Sequence, residues 1–576
     1  MAKTKQGQRA KEVRQKRAKQ QPAKSQTERD KEIVDSHRSR LVSMENRRDQ
    51  KEEIWQDLAD YVLPDFEDIE QTEEPGERVG QRIFDGTAPV ALDIATNGTY
   101  GNVMNQGSPW FSLRAWLNDL NEIAEVRSYL QDVQEQILFA LARSNFYEES
   151  LSLVRGGIGI GTSTMMSEVD EAKDIIVFEH IHPAQAFIAE NKNRRVDTLY
   201  RKYRAHLADI AERFGKESLS ESQQRTLVDS PYSQIEILHV IAERKDFDPF
   251  KYDNINMPYA SIWIDLSEGR LLHESGFNEQ PFTTWRYLKN AGDFYGRCPA
   301  ELALPSIIGA NRTVEDMLAV SELSAMPPMR ASTNMRGKVK MTSRGLNYMT
   351  AEDFLEPINL GQNYGVGVDR EERQQEAIRA AFNVDFFLLL SSADASRTAF
   401  EVAELQSERA LILAPAVSRL TAEVLDSVLE RVFSIEERAG RMPIPPPILE
   451  DLGPDGQIDI QYLGPLAQIQ ARLFENRGII GGMGFVGEIA AAFPGAVDNV
   501  DDDELIRAAM RSFNFPQKTI RSQDDVAALR VARQQDQADA AQLAKAESLG
   551  KAAKDLGQAG VNVAEPIEQA IEGVAQ

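Results

Sequence analysis

With 576 residues the chain has room for several domains and an ample hydrophobic core. Asp and Glu number 90 against 65 Lys and Arg, and the net charge of −25 argues against a surface that wraps nucleic acid tightly, though not against one that nucleic acid slides past. The single cysteine, Cys298, excludes an intrachain disulfide and fits a reducing compartment, and no run is both long and apolar enough to span a bilayer.

Up to Lys24 the chain carries nine Lys or Arg and one acid, Glu12, with no apolar period. This arm is expected to be disordered in isolation, and its start is too polar for a signal peptide. Glu32–Leu63 follows a helical period through Ile54, Leu58 and Val62, and Pro64 stops it. Asp65–Gly80 reads as an acidic connection. Pro89–Thr96 and Glu125–Ser144 are further helices, the second with Val126, Tyr129, Val133, Ile137 and Leu141 in register. From Ile175 to Phe277 the period changes to two. Strands are predicted at Ile175–Phe178, Ile235–Ile241 and Ile262–Leu266, the last turning through Ser267, Glu268 and Gly269 into Arg270–His273. A short helix, His206–Phe214, lies between them.

Pro299–Ala325 returns to a helical pattern through Leu304, Ile307, Val314 and Leu318, and Pro327 and Pro328 halt it. Met329–Gly367 is irregular and glycine-rich, and holds a cluster of five cations: Arg330, Arg336, Lys338, Lys340 and Arg344. Asp369–Asn383 is helical again. The apolar run beginning at Phe386 then passes into a small, polar loop that ends at Ser396. Thr398–Arg441 follows as one long stripe, with Val417, Leu420, Val424, Val428, Val432 and Ile435 at three- and four-residue steps. At about 1.5 Å per residue it would form a rod of roughly 60 Å. Pro415 removes the bond to the carbonyl of Leu411, so a kink is expected there, and Gly440 and Pro443 end the helix. Beyond it come a strand at Ile458–Tyr462, helices at Leu466–Arg477, Glu488–Phe493, Asp502–Ser512 and Asp524–Gln542, and a low-complexity Ala/Gln-rich end. The elements add up to an α+β, predominantly helical protein.

Signals for chemistry are weak. Gly482–Gly487 matches G-x-G-x-x-G, but a helix precedes it where a dinucleotide site needs a strand, so a turn between short helices is the better reading. Gly156–Gly161 lacks the Lys-Ser/Thr of a phosphate loop and reads as a bend between helix and strand. His180 and His182 share a strand face without further ligands, so no metal is assigned. No catalytic residue or cofactor is assigned either, and an enzyme is not expected. The cation cluster reads as a surface patch in a single chain, or as a repeated ring of charge that meets phosphates if subunits surround an opening.

Several stretches are familiar in order and spacing: SPWFSL (108–113), GIGIGTSTM (157–165), HPAQAFIAENKNRRVDTLYRKY (182–203), GFNEQPFTTWRYLKNAGDFYGRCPAELALPSI (276–307), SRTAFEVAELQSERALILAPAVSRL (396–420) and GPLAQIQ (464–470). Across about 29–533 the chain resembles podovirus-type phage portal proteins, the head-to-tail connecting proteins of short-tailed phages. Ser396–Glu401 is a looser version of that family's Thr-Ala-Thr-Glu-like run.

The resemblance implies a portal fold that assembles as a ring of twelve subunits at one capsid vertex. It implies a basic arm (1–28), a mixed α/β wing (29–298), a stem helix (299–325), a clip (326–368) and a second stem helix (369–385). A tunnel loop (386–397), a long kinked helix returning to the wing (398–465), a crown (466–535) and a tail (536–576) complete the plan. Ser391, Ser392, Asp394, Ser396 and Arg397 would then be the DNA-channel loop, the five cations would lie in the clip, and Pro415 would mark the bend. The implied partners are further copies of the chain, double-stranded DNA, terminase, tail and adaptor proteins, and the capsid and scaffold proteins, with no membrane. The implied place is the virion, after assembly in the host cytoplasm. Two other classes are weighed against this reading: a nucleotide-binding enzyme using Gly482–Gly487, and a capsid-interior scaffold protein.

Overall fold

A computed structural model describes residues 26–64, 83–170, 172–248, 253–325, 327–333, 354–357, 364–391, 412–452, 458–463 and 523–558, with isolated positions among the rest. The chain forms two units: Met1–Ser112, Gln134–Met442 and Ile460–Gly478 make the larger, and Leu113–Val133, Pro443–Asp459 and Ile479–Gln576 the smaller.

The larger unit opens on helix α1 (Gln26–Tyr61), which starts earlier than its apolar period implied and ends before Pro64. Helix α2 (Thr87–Val103), strand β1 (Phe111–Ala115) and helices α3 (Ala124–Arg143) and α4 (Phe146–Gly159) follow in the chain, the stretch Leu113–Val133 of β1 and α3 belonging to the smaller unit. The β region then runs β2 (Thr162–Asp170), β3 (Ile175–Ile181), β4 (Ala186–Glu190), β5 (Val196–His206), α5 (Leu207–Phe214), α6 (Glu221–Asp229), β6 (Gln234–Glu243), β7 (Tyr259–Asp265), β8 (Arg270–Phe277) and β9 (Phe282–Arg286). Its antiparallel sheets have strand orders β3-β2-β9 and β4-β5-β6-β7-β8.

Alternation along β6 shows how the larger sheet is clad. Leu238 and Val240 join Val34, Leu41 and Met44 of α1 on one face, while Ile235 and Ile237 join Leu207 and Ile210 of α5 on the other. The strands β2, β5 and β9 escape the sequence reading because Thr, Ser, Arg and Lys interrupt their apolar period, although the first six residues of β2 and all of β9 are buried. The free edge of β3 is closed by a side chain: Asn145 donates to the carbonyl of Phe178 (2.7 Å) and accepts from its N–H (2.8 Å), which blocks a further strand.

The glycine run at the end of α4 is a packing device. A Cβ on Gly157 would overlap the Trp285 ring of β9, and one on Gly159 would lie 2.6 Å from Leu63. Gly161 turns the chain into β2 at φ +95°. The bend is where the sequence puts it, with the first glycines inside the helix.

Helix α7 (Pro299–Ala325) has the predicted bounds. It is followed by β10 (Met329–Ala331), β11 (Leu355–Pro357) and α8 (Tyr364–Ala381). Thr313 bonds to Gln374, and Gly367 lies under Met317, so α7 and α8 run antiparallel as a hairpin whose far end carries the β10–β11 ribbon. Helix α9 (Val384–Ser391) corrects the expected loop from Phe386. Phe386 and Phe387 are buried, and Gly98 of α2 leaves the space that the Phe387 ring fills, so the apolar run seats as a helix as far as Ser391.

Residues 412–420 are helical, Thr421–Leu425 form a π turn, and α10 (Asp426–Arg438) continues from it. Gly440, at φ +68°, closes α10, with Gly440 N–H on Glu437 and Arg441 N–H on Glu436. In the smaller unit, Ala115, Leu120, Val126 and Leu130 enclose Leu449 of α11 (Pro447–Leu452). Strand β12 (Ile458–Tyr462) has its predicted bounds. Helix α12 (Gln523–Gln558) outruns the predicted Gln542, because the Ala, Leu, Lys and Glu that follow are good helix formers. The expected tail from 536 is thus helical as far as Gln558.

Candidate functional site

The predicted functional residues fall in three places. In the hairpin ribbon, Arg330 of β10 pairs with Glu356 of β11 at 2.8 Å, and its guanidinium lies 5.6 Å from the centre of the Phe354 ring. Both partners are exposed, so the ribbon presents a cation already matched by a carboxylate. Arg336 sits in a turn, its N–H on the carbonyl of Thr333. Lys338, Lys340 and Arg344 lie outside the described residues. Of the channel-loop residues, Ser391 ends α9, and Ser392, Asp394, Ser396 and Arg397 lie outside the described residues. So do Gly482–Gly487.

Pro415 is exposed on the helix of residues 412–420. Among the described residues the departure from α geometry comes later, at Thr421–Leu425, where the N–H of Asp426 donates to the carbonyl of Thr421. Leu411, whose carbonyl Pro415 would leave free, is outside the described residues. The two histidines do not converge as ligands. His180 shares a 2.8 Å hydrogen bond with Ser163, and burial lowers its pKa to about 4, whereas His182 accepts from the N–H of Ala184 to cap a short turn. Among the described residues no group of three or more His, Cys, Asp or Glu is arranged to hold a metal.

The hairpin is rooted by amides. Asn311 of α7 accepts the N–H groups of Phe84 (2.8 Å) and Asp85 (3.0 Å) and donates to Ile307, while Asp85 caps the start of α2 through Thr87. Ala300, Ala303, Ile307 and Ala310 are buried at this root, whereas Leu318 and Leu323 farther out are exposed. Carboxylates dominate the outer hairpin: Glu315, Asp316 and Glu322 on α7, and Asp369, Glu371, Glu372 and Glu376 on α8, outnumber Arg312, Arg370, Arg373 and Arg379.

The strongest polar constellation was missed from the sequence. Arg286, at the end of β9 and only 2 % exposed, meets Glu423 of the π turn, Glu190 of β4 and the carbonyl of Arg194 (3.2 Å). Lys289 shares Glu190, and Arg419 shares Glu423 at 3.1 Å. The hint is the lone Arg in the otherwise uncharged strand FTTWR. A second clasp lies along the same helix, where Arg431 and Arg438 both bind Glu279, Arg431 at 2.6 Å. Burial lowers the pKa of Arg431 while Glu279 opposes the shift. At the helix end Arg441 holds both oxygens of Glu436 at 2.7 Å, and this keeps the carboxyl below its ordinary range.

The bacteriophage head to tail connecting protein family matches residues 34–520. The portal protein of Salmonella phage epsilon15 is 26% identical over 524 residues, covering 89% of this chain and 92% of that protein. The probable portal protein of Bordetella phage BPP-1 is 27% identical over 523 residues, covering 88% and 92%. Among solved structures, a chain in the neck of an empty gene transfer agent particle gives a TM-score of 0.35 at 11% identity, over 68% of this chain and 85% of that one. A chain in the native gene transfer agent virion gives 0.33 at 12% identity, over 73% and 88%.

Proposed function

The chain belongs to the bacteriophage head to tail connecting protein family and is a portal protein, and from that premise we propose that it closes into a ring, of twelve subunits as the resemblance implies, around a channel at one capsid vertex. Double-stranded DNA is packaged and ejected through this channel. The ring is a virion component, assembled in the host cytoplasm, and terminase and tail proteins dock on it. The observation that carries the reading is the hairpin of α7 and α8: an arm rooted through Asn311, ending in a two-stranded ribbon, and exposing Leu318 and Leu323 in the single chain. Neighbouring copies in a ring supply what would cover those side chains.

The hairpin chemistry suits passage rather than binding. Duplex DNA carries a charge about every 1.7 Å of its axis, so a continuous Lys/Arg lining would act as a brake. An excess of carboxylates repels the phosphates and keeps friction low, with cations confined to the clip segment that holds Arg330, Arg336, Lys338, Lys340 and Arg344. The loop carrying Ser391, Ser392, Asp394, Ser396 and Arg397 is the proposed DNA contact. Its deletion should spare the ring and impair DNA packaging or retention; normal genome filling by the deleted protein would count against the assignment. Native mass measurement with imaging of the full-length chain tests the ring itself.

A further inference from the structure

The π turn at Thr421–Leu425 has a geometric reason. An α-helical amide reaches back four residues, but that of Asp426 reaches back five, to Thr421, so this turn holds one extra residue. Leu420 and Leu429 stand nine positions apart, about two and a half turns of an unbroken α-helix, and would face opposite ways in one. Both are buried, as is Leu425. The extra residue turns the following helix back by about 100°. Leu413, Val417 and Leu420 before the turn and Leu425, Val428, Leu429 and Val432 after it then form one buried face.

A π turn is a rare departure from α geometry and needs something to hold it. Glu423 stands at its centre and reaches out of the helix to β9. One carboxylate oxygen accepts the backbone N–H of Arg286 at 3.0 Å and its Nε at 3.4 Å, and the other accepts Nη2 at 2.6 Å. Downstream, α10 is fastened independently by Arg431 on Glu279 and by the Tyr462 hydroxyl on Asp426. We infer that Glu423 is a positioning residue: its bond to Arg286 keeps the turn in π geometry and so sets the rotation of helix 412–420 against the β sheet. Released from that bond, the turn relaxes to α, and because α10 stays fastened, it is helix 412–420 that rotates. Only the consequence for the channel, toward which that helix leads, rests on the portal reading.

The test is thiol labelling with a maleimide on full-length chains that carry Ala416→Cys or Ser418→Cys. Ala416 is buried and Ser418 exposed, and the native Cys298 is buried and stays silent. With Glu423 present, position 418 should label and position 416 should be protected. In Glu423→Ala the rotation carries 416 outward and 418 toward the sheet, so the order should invert. Removing Ala422 as well should restore the parental order, since a turn one residue shorter keeps both flanks in phase with α geometry alone. An unchanged order in Glu423→Ala overturns the inference. If Glu423→Ala does not fold, Glu423→Gln, which keeps the size of the side chain but weakens its hold on Arg286, decides: labelling at 416 raised relative to 418 supports the inference and an unchanged ratio overturns it. The labelling reads helix rotation without DNA, so its failure leaves the portal reading standing, whereas loss of the ring in the parental chain strikes that reading alone.

Discussion

Arg286 and Glu423 are joined three times, by the backbone N–H, Nε and Nη2 of the arginine on one carboxylate. The arginine ends a buried strand and the glutamate centres a π turn, so this one pair ties the β sheet to the long helix. Glu190, Lys289 and Arg419 complete a network of three cations on two carboxylates.

Arg286→Ala takes the buried cation from two partly buried carboxylates, leaving Glu190 to Lys289 and Glu423 to Arg419, and breaking a buried pair typically costs about 3–5 kcal/mol. Arg286→Lys should recover only part of the loss, because an ammonium cannot reproduce the forked contact. Denaturant unfolding of the full chain measures both; a loss below about 1 kcal/mol for the alanine variant would contradict the role given to the network.

Gly157→Ala and Gly101→Ala should move stability in opposite directions. A methyl at 157 collides with the Trp285 ring, and such overpacking costs about 1–3 kcal/mol. Gly101 lies in α2 with nothing near its Cβ position, so alanine there should add about 0.5–1 kcal/mol. Thermal melts of the two variants against the parent check the pair.

Acid should weaken the fold in two stages. Burial holds His37 and His180 down to about 4 from 6.5, so between those pH values the unfolded chain binds protons that the folded chain refuses. Stability therefore falls as pH drops from about 6.5 to about 4, and replacing His180 with Gln should flatten that part of the curve. Glu436, held below its ordinary range by hydrogen bonds from Arg441 first and Gln136 after, contributes stability present above the unfolded carboxylate value. That contribution disappears as pH falls through the lowered folded value, and Glu436→Gln should remove it. Unfolding curves across pH, with and without each substitution, measure both limbs.

Replacing Glu315, Asp316 and Glu322 together with Lys should leave ring formation intact and slow DNA translocation. The effect should shrink at high salt, where the Debye length falls to about 3 Å at 1 M. An in vitro packaging assay gives the readout, and unchanged rates at low salt would remove the low-friction argument.

The long periodic elements were legible because their burial is one-sided: α7 and β12 have the predicted bounds, and α1, α3 and α8 are recognisable from their apolar stripes. Strands such as β2, with Thr162, Ser163 and Thr164 buried in sequence, were not, since small polar residues satisfied across a sheet leave no period-two signal. Pro415 drew attention to the right helix, but the irregularity found there depends on Glu423 reaching a residue 137 positions away, a contact no local pattern announces. The loop expected from Phe386 became helix as far as Ser391 because Gly98, far upstream, makes room for Phe387.

The central claim, a ring around a DNA channel, is tested most directly by the native mass of the purified full-length chain. The account predicts one dominant species of about a dozen chain masses, hollow when imaged, in line with the subunit number that the resemblance implies. A monomer at every salt concentration, or an elongated species without a central hole, would contradict it.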